Sequence, residues 1–168
     1  MIMESVSTLV KIILGVVAAF AAICLGWYLM IKAPYADFCN NIVESGGEHI
    51  ITGSTDVKKY RVGDYEYTVV QPTFLKNNGS LYIKHLEKPD ADILISRSIT
   101  GRCSYTLTYT MGYKPDIKTW TFKFTSDMQP ETLLSMQEKS FLNKNGEIFT
   151  ELLEKANSMW GLSLEMKY

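Results

Sequence analysis

Two histidines and three cysteines are the side chains with the greatest chemical reach in this chain. His85 lies in the stretch IKHLEKPDAD, close to Glu87, Asp90 and Asp92, residue types that hold a divalent metal or trade a proton with an imidazole. No HExxH or GxSxG spacing accompanies it, so the simpler expectation is a charged strand end that closes in a turn at Pro89. His49 follows Gly46-Gly47-Glu48 and reads as a loop residue. Cys103, between Arg102 and Ser104, becomes a nucleophile only if a histidine approaches it. A membrane-tethered hydrolase using Cys103, or His85 with an acidic neighbour, is therefore the minor reading. Gly46-Gly47 and Gly53 build neither a P-loop nor a GxGxxG turn, and no spacing selects a carboxylate pair among the acids. The expectation is a non-enzyme with no catalytic residue, no metal ligand and no cofactor.

Cys24 sits in an apolar run, which leaves Cys39 and Cys103 as the pair available for a disulfide in an oxidising compartment. A bridge and two buried free thiols both stay open. Asn78-Gly79-Ser80 satisfies the N-glycosylation pattern, but Asn77-Asn78-Gly79 is better explained as turn residues.

The elements that must position these groups begin with residues 11–32, KIILGVVAAFAAICLGWYLMIK. Ile12 to Ile31 would span about 30 Å as a helix, the thickness of a bilayer's hydrocarbon core. Lys11 and Lys32 can snorkel to opposite interfaces, and Trp27 and Tyr28 suit the headgroup level. Cleavage after Ala19-Phe20-Ala21 would leave a greasy new terminus, and acylation at Cys24 would follow a bulky Ile23. A permanent transmembrane anchor is the preferred reading. Charges near its ends lean toward a short cytoplasmic N-terminus and a C-terminal domain outside the cytoplasm, periplasmic in a Gram-negative cell. Gly15, Ala18, Ala19, Ala22 and Gly26 give the anchor one small face, through which two helices could associate into a homo-oligomer.

Net charge is −1, from 17 basic and 18 acidic residues scattered along the chain, which excludes the concentrated basic footprint of a nucleic-acid binder. The organisation expected is a tail at 1–11, a transmembrane helix at 12–31, a juxtamembrane helix or linker at 32–47, and one extracytoplasmic domain at 48–168. Period-two alternation over Tyr65–Val70, Leu81–Ile83, Asp92–Ile99, Arg102–Met111 and Thr119–Thr125 predicts an antiparallel sheet of about five to seven strands. Gly112–Asp116 is read as a loop. Ser126 or Asp127 is expected to cap a first helix with Pro130 and Glu131 in its early turn. A break at Asn143–Gly146 precedes a second helix with an apolar stripe from Ile148 to Trp160, and a last strand over Leu162–Met166 follows.

The fold class is thus α+β, a transmembrane helix followed by an antiparallel sheet packed on C-terminal helices. Its aromatic stripe, Trp120, Phe122 and Phe124, is read as core. Thr106, Thr108 and Thr110 share the opposite, wet face of their strand and form a candidate docking face for a protein partner. The function that follows is a noncatalytic, single-pass membrane protein that binds a protein partner as part of an envelope or secretion-type complex. An immunity or inhibitor protein that captures a toxin at the membrane is a narrower version.

Overall fold

A computed structural model describes residues 2–73, 75–76, 78–87, 91–98, 100–111 and 115–168. The expected turns at Pro89 and Asn77, the residues Asp90 and Ile99, and the start of the loop at Gly112 lie outside them. The chain opens with helix α1 (Ile2–Trp27), a five-residue π-helical turn (Tyr28–Lys32) and helix α2 (Ala33–Glu44). One N-terminal helical run is long and apolar enough to cross a bilayer, with a mean hydropathy of 2.5 over its most apolar stretch. The wide turn has a local cause. Pro34 has no N–H to donate to the carbonyl four residues back, and its ring crowds that carbonyl. The Ala33 N–H instead reaches the Tyr28 carbonyl, five residues back, and the helix continues into α2.

Seven strands follow as an antiparallel meander: β1 (Glu48–Ile50), β2 (Val57–Val62), β3 (Tyr65–Val70), β4 (Gly79–His85), β5 (Ala91–Arg97), β6 (Cys103–Met111) and β7 (Lys118–Phe124), neighbours in space as in sequence. Alternation divides the sheet cleanly. Tyr67, Val69, Leu81, Ile83, Ile93, Ile95, Tyr105, Leu107, Phe122 and Phe124 all point to one buried face, as strands with a single covered side require. Phe122 and Phe124 are core, and Trp120 packs half-buried beside Phe141, ring centroids 4.7 Å apart.

Two helices cover that face. Tyr35, Phe38, Cys39 and Ile42 of α2 are buried in the same core, so the juxtamembrane helix is an integral part of the packed unit. Helix α3 (Met136–Trp160) supplies Leu142, Phe149, Leu152, Leu153, Ala156 and Trp160. The expected break at Asn143–Gly146 does not occur. Leu142 and Phe149 lie two turns apart on one face, and burying both outweighs the poor helix propensity of Asn143, Asn145 and Gly146. Asn145 also donates its side-chain amide to the Phe141 carbonyl at 3.0 Å.

The helix expected from Ser126 or Asp127 is likewise replaced. The Thr125 N–H donates to the Gln129 carbonyl at 2.8 Å, and Pro130 bridges Phe124 at the free edge of β7. A proline there cannot extend the ladder, and it blunts an edge that would otherwise recruit another strand. The true helix start is Ser135, ten residues after Thr125. Residues 162–168 form no strand. They are extended but held by side chains: Asn157 brackets Leu164 through its N–H (2.8 Å) and its carbonyl (2.9 Å), and Tyr105 donates to the Glu165 carbonyl.

Candidate functional site

Among the described residues, those singled out for catalysis do not converge. His85 ends β4 on the buried face, edge-on to Tyr65 at 4.9 Å, with its Nδ1 accepting the Glu87 N–H at 3.1 Å. Asp92 projects from the opposite face of the sheet, so the acidic neighbour closest in sequence to β5 is turned away from the imidazole. Cys103 pairs with Arg97, which pairs with Gly79, six residues along β4 from His85. That separates the two along the strands by about 20 Å at roughly 3.3 Å per residue. His49 is in β1 rather than a loop, packed against Tyr60 at 5.2 Å. Among the described residues no three His, Cys, Asp or Glu side chains are grouped to hold a metal.

The disulfide available to Cys39 and Cys103 is not formed: both thiols are buried and free. The Cys39 thiol meets the Tyr60 hydroxyl, which reaches out from β2, while Cys103 begins β6. Burial raises the Cys103 thiol above its ordinary value despite the opposing pull of the nearby Arg97 charge. A raised thiol is a poorer nucleophile at neutral pH.

The threonines lead to a larger surface. Both helices lie on the buried face, so the other side of the sheet is open. Across it Thr68, Tyr82, Leu94, Thr106 and Lys123 stand side by side in one row. Glu66, Lys84, Asp92, Thr108 and Thr121 form the next, and Thr110 faces Thr119 beyond. Thr106, Thr108 and Thr110 are half-buried by these neighbours. Glu66 holds Lys84 at 3.3 Å and Lys59 at 3.5 Å. Asp92 accepts from the Tyr82 and Thr108 hydroxyls; burial nonetheless raises its carboxyl above the ordinary range, and it pushes Tyr82 up to about 12. The face is a stiff, hydrogen-bonded platform of mixed sign with an exposed leucine near its middle.

On α1, Gly15, Ala18, Ala19, Ala22 and Gly26 fall on one side of the helix, and a Cβ added at Gly15 or Gly26 would meet nothing within 4 Å. Asn78 is exposed beside Gly79 and Ser80, which already belong to β4.

A second feature was missed from sequence. The Ser98–Arg102 hairpin turns at Gly101, whose φ of 81° suits glycine, and the Ser98 N–H donates to the Arg102 carbonyl at 2.9 Å. It places Arg97 and Arg102 around one cleft of about 500 Å³ that also takes in Ser96, Ser98, Ser104 and Asn78. Two arginines flanking the sequence Ser-Ile-Thr-Gly were the available signal. Comparison of the chain with protein-family models, curated proteins and solved structures finds no match.

Proposed function

We propose that this is a noncatalytic, single-pass membrane-anchored protein whose α+β domain takes a protein partner on its open sheet face, as a component of an envelope or secretion-type assembly. The observation that supports it is the division of the sheet: one face sealed by α2 and α3, the other a platform on which Tyr82, Leu94 and Thr106 lie in one row. β-Branched and hydrogen-bonded side chains lose little freedom on docking, which lowers the entropic cost of association. The mixture of Lys59, Lys84, Glu66 and Asp92 suits a protein surface of complementary pattern rather than a polyanion. The balance of charges flanking α1 supports a cytoplasmic N-terminus with the domain outside it.

A photo-crosslinking residue at Thr106 in the full-length protein, in native membranes, is expected to yield a discrete protein adduct, and one at exposed Glu154 on α3 none. Equal labelling from both positions would remove the docking assignment. Lys144→Cys, on the exposed side of α3, reports orientation: an impermeant thiol reagent is expected to label it in intact cells, and labelling only after lysis would reverse the topology.

A further inference from the structure

We infer that the open half of the β7 edge takes an extended, acidic segment of a partner protein, which adds a strand to the sheet and seats an apolar side chain beside Trp120. The first observation is in the backbone. In an antiparallel ladder the N–H and C=O of one residue point to the same side, and those of the next residue to the other. The Lys123 carbonyl accepts the Glu131 N–H at 2.8 Å, so Lys123 turns its backbone groups away from β6, and Thr121 and Thr119 do the same. Pro130 and Glu131 close only the Phe124 end of that edge. Among the described residues no backbone hydrogen bond reaches Thr119 or Thr121 on that side. Their N–H and C=O groups stand at the spacing of a strand, the template on which an extended peptide pairs.

The second observation is a cleft of about 460 Å³ beside the same stretch, lined by Lys118, Trp120, Met136, Phe141 and Lys144 among others. Half-buried Trp120 and Phe141 stack there at 4.7 Å, and Met136 is 86% exposed. A strand paired with Thr119 and Thr121 turns every second side chain toward the face that carries Trp120. An apolar side chain in that position covers aromatic surface that the chain itself leaves half-open. The third observation is charge. The cleft lining holds two ammonium groups and no carboxylate. Stacking holds the Lys118 Nζ 4.3 Å from the centre of the Trp120 ring, and neither Lys118 nor Lys144 makes an ion pair among the described residues. β7 itself, Lys-Thr-Trp-Thr-Phe-Lys-Phe, contains lysines and no acid. A second copy of β7 would set these lysines against like charges, whereas an acidic strand complements them.

Full-length protein in detergent is titrated with a fluorescent peptide that alternates glutamate with leucine, and binding is read by anisotropy. Thr121→Pro removes an N–H that faces away from β6, so it keeps the ladder to β6 and is expected to weaken binding about tenfold. Thr121→Val, which keeps the backbone donor, is expected to bind as the unmodified protein does. Lys118→Glu with Lys144→Glu, both at exposed positions, should weaken binding several-fold and keeps the test sound if Thr121→Pro fails to fold. A peptide with lysine in place of glutamate should bind more weakly by a similar factor. No anisotropy change up to millimolar peptide would overturn the site. An equal loss in Thr106→Glu would move the peptide to the open sheet face and overturn the edge assignment. A dimer of the unliganded protein that Thr121→Pro dissociates, seen by sedimentation, would assign the edge to a second copy instead.

Discussion

A methyl group added at Gly79 would lie 2.4 Å from the Tyr35 ring, closer than any carbon can rest. Glycine at the start of β4 is what lets α2 press its first aromatic onto the sheet, and the Tyr35 hydroxyl is buried there against the Gly79 backbone. Burial pushes that phenol up to about 12, against the lowering pull of Arg97. Gly79→Ala is expected to cost about 1 to 3 kcal/mol of unfolding free energy, the range for overpacking a tight site. Denaturant titration in detergent measures it, and the cost should shrink in a Tyr35→Ala background; an undiminished loss there would place its origin elsewhere. The two buried thiols make a second prediction at this scale. Maleimide should modify Cys39 and Cys103 in denaturant without any reductant, and slowly or not at all in the folded protein. Modification that requires reductant would restore the disulfide.

The capping box that starts α3 is where an element's stability meets pH. The Ser135 Oγ accepts the Glu138 N–H at 3.3 Å, and the Glu138 carboxylate accepts both the Ser135 N–H and its hydroxyl at 2.7 Å. Those hydrogen bonds hold the Glu138 carboxyl below its ordinary value. A lowered acid favours the folded state above the unfolded group's value, and that contribution disappears as pH falls through the folded one. Ser135→Ala should therefore cost about 0.5 to 2 kcal/mol at neutral pH. Less of that difference should remain when the melts are repeated near pH 3, and a pH-independent difference would remove Glu138 from the account. The same element shows the limit of local propensity. Ser126, Asp127 and Pro130 offer a start signal earlier in the chain than Ser135, yet Pro130 closes the edge of β7 at Phe124. Asn143 to Gly146 read as a break because isolated helices do not favour them, whereas α3 is held by the sheet beneath it.

At the level of the whole molecule, the long apolar run and the period-two strands β3 to β7 were legible because each encodes its environment in a repeating pattern. Strands β1 and β2 were not, since Lys58, Lys59 and Arg61 interrupt the alternation near the sheet's outer edge. Half of the candidate site was visible in the same way: Thr106, Thr108 and Thr110 follow from strand alternation, but their partners Tyr82, Asp92 and Leu94 follow only from the register. The cleft at Arg102 was hidden because it joins the β5–β6 turn to Asn78 before β4 and Thr125 after β7, a relation between distant segments. Helix α1 carries a face of small residues, Gly15, Ala18, Ala19, Ala22 and Gly26, of which the first four are exposed. Small residues there permit close backbone approach between helices, and van der Waals packing is the main attraction inside a bilayer. Ala22→Leu at the centre of that face should weaken dimerisation several-fold, measured by energy transfer between labelled full-length chains in vesicles as protein is diluted into lipid. Val17→Leu, on the opposite side, should leave it unchanged. Equal transfer in both variants would mean that the chains associate through the domain or not at all, and would leave the open sheet face as the surface to test for self-association.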